Sequence, residues 1–356
     1  MMLLLAVLAL LSCAPSSTHA KVPRSFWGVS LTDSKQLNDT DFDRMKSGRV
    51  AEVHWTLFWP GIEPTQTTPD NFDWSESDAL VGNLASRGIR LMPDVYGSPS
   101  FAAKTPQTPP LGSANARSEW KDFLRALIDR YGPGGTYWAT MYQVQHPGGS
   151  PVPIKAWQVW NEPNLPHYFH TKQRVKNYAT LLRISHQAVK SADPKAKVVL
   201  AGMPGYTPVR GPNFLDDLYK HNVKRYFDAA AVHPYAPSVR YQARTLKRMR
   251  QVMNKHGDRR TPLWITELSW GSGHPDQFGV NKGLQGQKRN LTKSYKMVLK
   301  HRRRWNLGRL FWFQWIDLPP STPPGYCNSI ICQTSGLFRY DQTPKPSWRA
   351  QRSPSA

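Results

Sequence analysis

Acidic residues are scarce in this chain of 356 residues, where 24 Asp and Glu stand against 47 Lys and Arg, giving a formal net charge of +23. Such a field favours anionic partners: an anionic polysaccharide, a polyanionic cell wall or a membrane surface. A generic basic surface is the alternative. No nucleic-acid-binding motif accompanies the charge, so we expect no nucleic-acid partner.

Long apolar runs are also missing after the first residues, so we expect no stable membrane insertion. Residues 1–11 are almost wholly apolar and 12–20 are small and polar, which is typical of a secretory signal cleaved after Ala20. We therefore expect a secreted protein, either free or associated with a cell wall. A weak likeness to a lipoprotein cleavage site at Cys13 is the alternative.

Cysteine occurs three times, and removal of the signal leaves Cys327 and Cys332. Because an exported protein lies in an oxidising space, a local disulfide between these two is expected, with two free thiols as the alternative.

Several catalytic signatures are absent. The chain has no glycine-rich phosphate loop and no Gly-x-Ser-x-Gly elbow. His167 and His170 lie near Glu162, but their spacing is not that of a helical zinc pair, and no distant third ligand stands out. We expect neither a cofactor nor a metal.

Apolar runs alternate with helical periodicity along the rest of the chain. The length suits one large domain, and neither a composition break nor an internal repeat is visible. The predicted strands are 26–30, 49–55, 89–96, 156–160, 197–202, 229–233, 263–267 and 310–315. Eight strands alternating with helices predict an α/β fold, a single-domain (β/α)₈ TIM barrel over residues 21–351, followed by a frayed tail at 352–356. We expect a monomer.

Two of these strands end in a carboxylate. The run Ala-Trp-Gln-Val-Trp from residue 156 ends in Asn161, Glu162 and Pro163, and the run Leu-Trp-Ile-Thr from residue 263 ends in Glu267. In a β/α barrel the carboxyl ends of all strands meet at one face. Two carboxylates at that face are what cleavage of a glycosidic bond needs. The 14 tryptophans suit sugar binding as well, since a pyranose face stacks on a ring, although each could simply fill the core.

With these residues in place, the chain resembles the clan A glycoside hydrolases, which are retaining (β/α)₈ enzymes, and within them the family 39 type. The resemblance covers almost the whole chain after the signal. It is carried by four short motifs in order: Trp160-Asn161-Glu162-Pro163, His233-Pro234-Tyr235, Thr266-Glu267 and Trp315.

The resemblance implies a role for each matching residue. Glu162 would be the general acid/base and Glu267 the nucleophile. Asn161 would donate its amide to the sugar 2-hydroxyl, Tyr235 would hydrogen-bond Glu267, and His233 would line the same site. Trp315 would form the floor under the sugar that is cleaved.

One position departs from the family pattern. Many clan members carry an arginine at the end of strand two that supports the nucleophile, and here His54 takes that place. The field at Glu267 would then depend on protonation of His54. Trp59, Asp94, Tyr96 and His167 are further candidates for substrate-binding residues.

The sequence thus predicts a secreted retaining glycosidase that cleaves β-glycosidic bonds of an oligo- or polysaccharide. A non-catalytic carbohydrate-binding barrel and a transglycosylase that remodels a cell-wall polysaccharide are the alternatives. The loops 97–113 and 132–153 are expected to wall the site and so to decide between exo and endo action.

Overall fold

A computed structural model describes residues 22–205, 210–276, 279–322 and 331–351. The predicted signal segment with Cys13, the predicted tail, and Cys327 lie outside the described residues. Cys332 is described and is buried. The signal and the Cys327–Cys332 disulfide stay predictions.

Nine strands over the described residues form one sheet in which every named pair is parallel. They are β1 Trp27–Ser30, β2 Glu52–Phe58, β3 Arg90–Tyr96, β4 Ala156–Val159, β5 Lys197–Leu200, β6 Met203–Pro204, β7 Ala230–His233, β8 Leu263–Leu268 and β9 Leu307–Phe313. The order is β5-β4-β3-β2-β1-β9-β8-β7-β6.

The sheet curls so that its two ends come together. Val199 of β5 forms a parallel bridge with Ala229, the residue before β7, and Leu200 N donates to Ala229 O at 2.9 Å. Strands β5 and β6 are separated by two residues, and together they occupy one position of the barrel. The prediction of a single-domain (β/α)₈ barrel is confirmed.

Helices follow the strands and cover the outside of the sheet. They are α1 Asp39–Ser47, α2 Trp59–Ile62, α3 Ser75–Ser86, α4 Ala114–Tyr131, α5 Thr136–Ala139, α6 Met141–Gln145, α7 Arg174–Ala192, α8 Gly211–Tyr219, α9 Val239–Lys255, α10 Gly283–His301 and α11 Pro346–Gln351. Helix α4 shows why they form, because its apolar side chains at helical spacing are all buried while its polar ones face outward. None of the described helices is long and apolar enough to span a bilayer.

The inside of the barrel has an apolar middle and a buried cluster of charges at the amino ends of the strands. Met92, Ala156, Ala231 and Phe311 belong to a buried cluster separate from the main core. At the amino ends of the strands, Glu52 is buried and pairs with Arg309, at 2.9 Å from Nη2 to Oε1, and with Arg90 at 3.2 Å. A buried carboxylate is tolerable there because both cations neutralise it.

The last described segment is fixed to the barrel by a buried ion pair. Lys345 Nζ lies 2.6 Å from Asp317 Oδ1 and donates to Ser272 Oγ at 2.8 Å and to the Thr334 carbonyl at 3.0 Å. Burial raises the pKa of Asp317 and lowers that of Lys345, so the two charges depend on each other.

Replacing one member of this pair should cost far more than replacing an exposed lysine. We expect Lys345→Met to lower the free energy of unfolding by about 3–5 kcal/mol, because Asp317 would remain buried without its cation. Urea unfolding measures the change. The control is Lys35→Met, whose partner Glu76 is 3.6 Å away and exposed, and it should cost less than about 1 kcal/mol. Equal costs for the two variants would contradict the assignment.

Candidate active site

The turn after β4 has an unusual backbone. Strand β4 ends at Val159, and both Trp160 and Glu162 adopt left-handed conformations, with φ of 71° and 42°. Each such residue costs on the order of 1–3 kcal/mol unless its surroundings hold it. Trp160 is held by its indole, which is fully buried and donates to the Tyr168 carbonyl at 2.8 Å. The turn thus fixes Glu162 beside the end of the strand, where the sequence predicts a catalytic carboxylate.

Glu267 reaches the same face from β8. The pairing of β8 with β9 shifts register between Ile265 and Leu268, so Glu267 lies within an irregular stretch of strand. Such irregularities redirect side chains near functional sites. Tyr235 Oη donates to Glu267 Oε2 at 2.7 Å, as the family resemblance implies.

His233, at the end of β7, lies between the two carboxylates. Its Nδ1 is 2.7 Å from Glu162 Oε1 and 3.5 Å from Glu267 Oε2, and its Nε2 is 3.0 Å from Thr266 Oγ1. Burial lowers the pKa of His233, and the charge of Glu267 opposes that shift. Its close approach requires Gly202, since a Cβ there would lie 1.9 Å from Nε2.

The two carboxylates are close enough to act on one bond. The nearest side-chain oxygens of Glu162 and Glu267 and a ring nitrogen of His233 all lie within 4.8 Å of one another. Retaining glycosidases hold their two carboxyl groups about 5–5.5 Å apart, whereas inverting ones leave about 6.5–9.5 Å. The close approach of these oxygens is compatible with the shorter of the two separations.

The pKa values of both carboxyl groups are raised in this site. Burial raises the pKa of Glu162 to about 8. Burial also raises the pKa of Glu267, to about 7, and the nearby Glu162 adds to the rise, while His233 and the hydrogen bond from Tyr235 oppose it. Because two buried carboxylates this close resist double ionisation, one proton is retained near neutral pH. The more favoured holder of that proton is Glu162.

The predicted substrate contacts Asn161 and Tyr96 lie beside this pair. Asn161 is partly exposed, and its Oδ1 is buried with no hydrogen-bond donor among the described residues. Tyr96 is also partly exposed, and its hydroxyl donates to the Tyr168 carbonyl at 3.3 Å. Burial raises the pKa of Tyr96, and the charges of Asp94 and Glu162 add to the rise.

The prediction for Trp315 is wrong. Its indole is fully buried, donates to Asp41 Oδ1 at 3.0 Å and packs against Phe338 and Trp348. Strand β9 ends at Phe313, so the inward and outward alternation on which the prediction depended does not extend two residues further. Trp315 lies in the outer core.

Phe313 is the aromatic residue of β9 that reaches the site. It is partly exposed, and its ring centroid lies 6.3 Å from that of Tyr235, which holds Glu267.

The prediction for Trp59 is also wrong. Residues 59–62 form the short helix α2 rather than an open loop, and Trp59 is fully buried against Phe101, Trp120 and Phe123. Its Nε1 donates to Glu63 Oε2 at 2.7 Å, so its polar atom is satisfied within the core.

His54 lies in the barrel interior, but it cannot supply the predicted positive charge. Burial and, to a smaller extent, the neighbouring His233 lower its pKa to about 3. Its Nε2 is 3.7 Å from Asp94 Oδ1, beyond hydrogen-bond distance. The neutral ring leaves support of Glu267 to Tyr235 and His233.

The expectation for one of the two loops is wrong. The loop 132–153 precedes β4 and so lies at the amino ends of the strands, where its Pro153 carbonyl accepts from Arg90 Nε at 3.1 Å. It cannot wall a site at the opposite face.

The two remaining candidates for substrate binding differ in burial. His167 is exposed, whereas Asp94 is buried and accepts from Thr56 Oγ1 at 3.0 Å.

Besides Phe313, three residues that the structure brings to this face received no role from the sequence. Tyr168 lies near both carboxylates, whose charges add to the rise that burial causes in its pKa. Thr266 contacts His233, and Phe58 at the end of β2 is 40% exposed and stacks against Tyr96 with ring centroids 6.3 Å apart. An aromatic residue at a strand end was the available signal for Phe58.

Two groups of described residues have a spacing that can hold a cation. In the first, made of Glu162, His233 and Glu267, a metal would have to displace the hydrogen bond at His233 Nδ1. The second, made of Glu63, Asp70 and Glu119, lies away from this pair. The expectation that no metal takes part stays a prediction.

Comparisons with known proteins concern the family and the fold of this chain. Residues 134–324 match the family model described as glycosyl hydrolase catalytic core. A search of curated proteins found no match. Among solved structures, a family 39 glycoside hydrolase from Bacteroides cellulosilyticus WH2 is similar over 94% of this chain and 64% of its own, with a TM-score of 0.67 and 17% identity. The chain therefore spans less than two thirds of that relative.

Two further structures are similar. A monomeric beta-xylosidase from Caulobacter crescentus CB15 matches 94% of this chain and 69% of its own, with a TM-score of 0.67 and 18% identity. The GH53 catalytic domain of Ignisphaera aggregans matches 94% and 97%, with a TM-score of 0.61 and 17% identity. At these identities the likeness concerns the fold.

Proposed function

Because this chain belongs to the glycosyl hydrolase catalytic core family, we propose that it is a retaining glycosidase that hydrolyses β-glycosidic bonds of an oligo- or polysaccharide. The observation that carries the proposal is the pair of carboxylates, Glu162 and Glu267, whose nearest oxygens lie within 4.8 Å on either side of His233.

The reaction has two steps in this proposal. In the first, Glu267 attacks the anomeric carbon as a carboxylate while Glu162 gives its proton to the leaving oxygen, and a covalent glycosyl ester forms. In the second, Glu162 takes a proton from water, the water oxygen attacks the anomeric carbon, and Glu267 leaves. In each step the new bond to the anomeric carbon forms on the face opposite the bond that breaks. Each step therefore inverts the configuration, and the two inversions together retain it.

The surroundings of the carboxylates support this assignment of roles. Glu267 accepts a hydrogen bond from Tyr235 at 2.7 Å, which stabilises its ionised form. No comparable hydroxyl donor to Glu162 is present among the described residues. The pKa of Glu162 is raised further, to about 8, which suits an acid that must hold its proton near neutral pH.

Asn161 and Phe313 would bind the sugar that is cleaved. Asn161 adjoins Glu162 and is partly exposed, which supports donation of its amide N–H to the sugar 2-hydroxyl. Phe313, beside Tyr235, takes the place in this proposal that the sequence assigned to Trp315.

Phe58 and Tyr96 would form a platform for the sugar beyond the acid/base. Phe58→Ala should raise KM for an oligosaccharide by roughly two- to tenfold, because an aromatic contact contributes about 0.5–1.5 kcal/mol beyond buried area. KM for an aryl monosaccharide should change little. The control is Tyr340→Ala, an aromatic residue that is 49% exposed on the turn whose Gln342 contacts α1. If KM for the oligosaccharide rises no more in Phe58→Ala than in the control, the proposed platform is wrong.

Stereochemistry provides the direct test of the reaction. Aryl β-glycosides of several sugars and their polysaccharides are screened, and the first-formed anomer is followed by proton NMR. Retention is expected, and the α-anomer appearing first would rule the mechanism out. Formation of longer oligosaccharides at high substrate concentration would instead identify the transglycosylase alternative.

We propose export as well, on the apolar segment 1–11 and the small residues that follow it. Mass spectrometry of the mature protein tests this, since cleavage after Ala20 gives Lys21 as the first residue. An unprocessed first methionine would contradict it.

A further inference from the structure

A basic groove crosses the outer helices between α7 and α9. It consists of two adjoining depressions of about 510 and 420 Å³ that share Arg210. The first runs from the beginning of α7 to α8 and the second lies along α9. Seven of the lining residues are lysine or arginine, and Asp217 is the one carboxylate among them. We call this feature the α7–α9 groove.

The cations of the groove are not neutralised by the protein. Arg244, Lys247 and Arg248 are exposed on one face of α9, three and four residues apart, and Arg210 is exposed beside them. None of these four has a carboxylate within 4.0 Å among the described residues. Asp217 is already paired with Lys220 at 2.6 Å. Like charges at this spacing repel each other, so an anionic ligand would relieve them.

The groove begins at the face that holds the catalytic carboxylates. Helix α7 follows the turn that carries Glu162, and α9 follows β7, which ends at His233. Helix α8 follows β6 between them. The amino ends of all three helices therefore lie on the side of the barrel where the strands end. A linear polymer held in the groove would therefore start on the side of the barrel that carries the active site.

We propose that the α7–α9 groove binds the acidic stretch of an anionic polysaccharide, one that carries carboxylate or sulfate groups along its length. The choice of a polysaccharide rests on the proposed function. Single-stranded nucleic acids fit the groove less well, because their binding sites combine cations with exposed aromatic rings on which bases stack. Phe214, the one aromatic residue that lines the groove, is 2% exposed, and the exposed Tyr241 beside the groove is already covered on one face by Arg244, at 5.4 Å from its ring centroid.

Binding is measured in the Glu162→Gln background, so that the probe is not hydrolysed. The groove variant carries Arg210→Gln, Arg244→Gln, Lys247→Gln and Arg248→Gln. Its matched control removes four exposed cations from α10, by Lys288→Gln, Arg289→Gln, Lys293→Gln and Lys296→Gln. The probes are labelled oligogalacturonate, a sulfated oligosaccharide, a neutral xylo-oligosaccharide and a single-stranded oligonucleotide of equal charge.

The groove variant should bind at least one of the two acidic oligosaccharides at least tenfold more weakly than its parent at low salt. Its slope of log K against log salt should flatten by about 3, since each phosphate-like contact releases roughly 0.7 of a counterion. The control should lose less than about twofold, and the neutral probe should not respond. The better acidic probe identifies carboxylate or sulfate as the preferred group.

Two results would overturn the proposal. One is equal weakening by the groove variant and its control, which would mean that only net charge matters. The other is oligonucleotide binding as tight as that of the acidic oligosaccharides and equally sensitive to the groove, which would make the partner a nucleic acid. Binding is measured without turnover, whereas the proposed hydrolysis is tested on aryl substrates. The groove proposal can therefore fail while the glycosidase proposal stands, and the reverse.

Discussion

Glu162→Gln and Glu267→Gln are each expected to slow hydrolysis by orders of magnitude while leaving the fold intact. Loss of the acid/base should lower kcat/KM by about 10²–10⁴-fold on substrates with poor leaving groups. Loss of the nucleophile should cost still more, because the covalent ester cannot form. Thermal unfolding should show no loss of stability, since each carboxyl group is buried at a cost in its ionised form.

The two variants should differ in a way that separates their roles. Glu162→Gln should recover on a dinitrophenyl glycoside, whose leaving group needs no proton, and azide should accelerate its second step. Glu267→Gln should fail on every leaving group. The control is Glu76→Gln, an exposed carboxylate on α3, which should behave as the parent enzyme. Near-normal activity in either active-site variant would defeat the assignment.

Tyr235→Phe should have the next largest effect on activity. Its hydroxyl donates to Glu267 Oε2 at 2.7 Å, and hydrogen bonds to charged groups contribute about 1.5–3 kcal/mol. The ionised nucleophile would lose that contact, so kcat/KM should fall by roughly 10- to 150-fold at pH 6.

The pH dependence shows whether this loss acts through ionisation. Activity requires Glu267 ionised and Glu162 protonated, so the rate should fall below the pKa of the first and above that of the second. Because the Tyr235 hydrogen bond lowers the pKa of Glu267, its removal should move the acidic limb of the kcat/KM profile to higher pH. The basic limb, set by Glu162, should move less. A uniform loss at every pH would mean that Tyr235 acts through packing alone.

The order of strands and helices was predictable because each kind of element leaves its own period in the sequence. Helix α4 is the clearest case, with its apolar residues at helical spacing all buried. The catalytic pair was predictable for a different reason. Each glutamate interrupts an apolar run at its carboxyl end, and the barrel brings such ends together.

The aromatic residues were not predictable at the same level. Trp315 and Trp59 follow the ends of β9 and β2, where alternation no longer decides the direction of a side chain. Their places depend on partners far away in the chain, Asp41 for Trp315 and the α4 ring cluster for Trp59. The charge state of His54 likewise depends on burial, which local sequence does not reveal.

Gly202 interrupts the fifth position of the barrel between β5 and β6, and its carbonyl accepts from Glu162 N at 3.2 Å. Its missing side chain leaves the volume that the His233 ring occupies. The absence of a methyl group at this position therefore allows the imidazole to lie beside both carboxylates. A Gly202→Ala substitution would displace the His233 ring toward Glu162 and Glu267. The spacing of the two carboxylates would change, although every reacting group would remain.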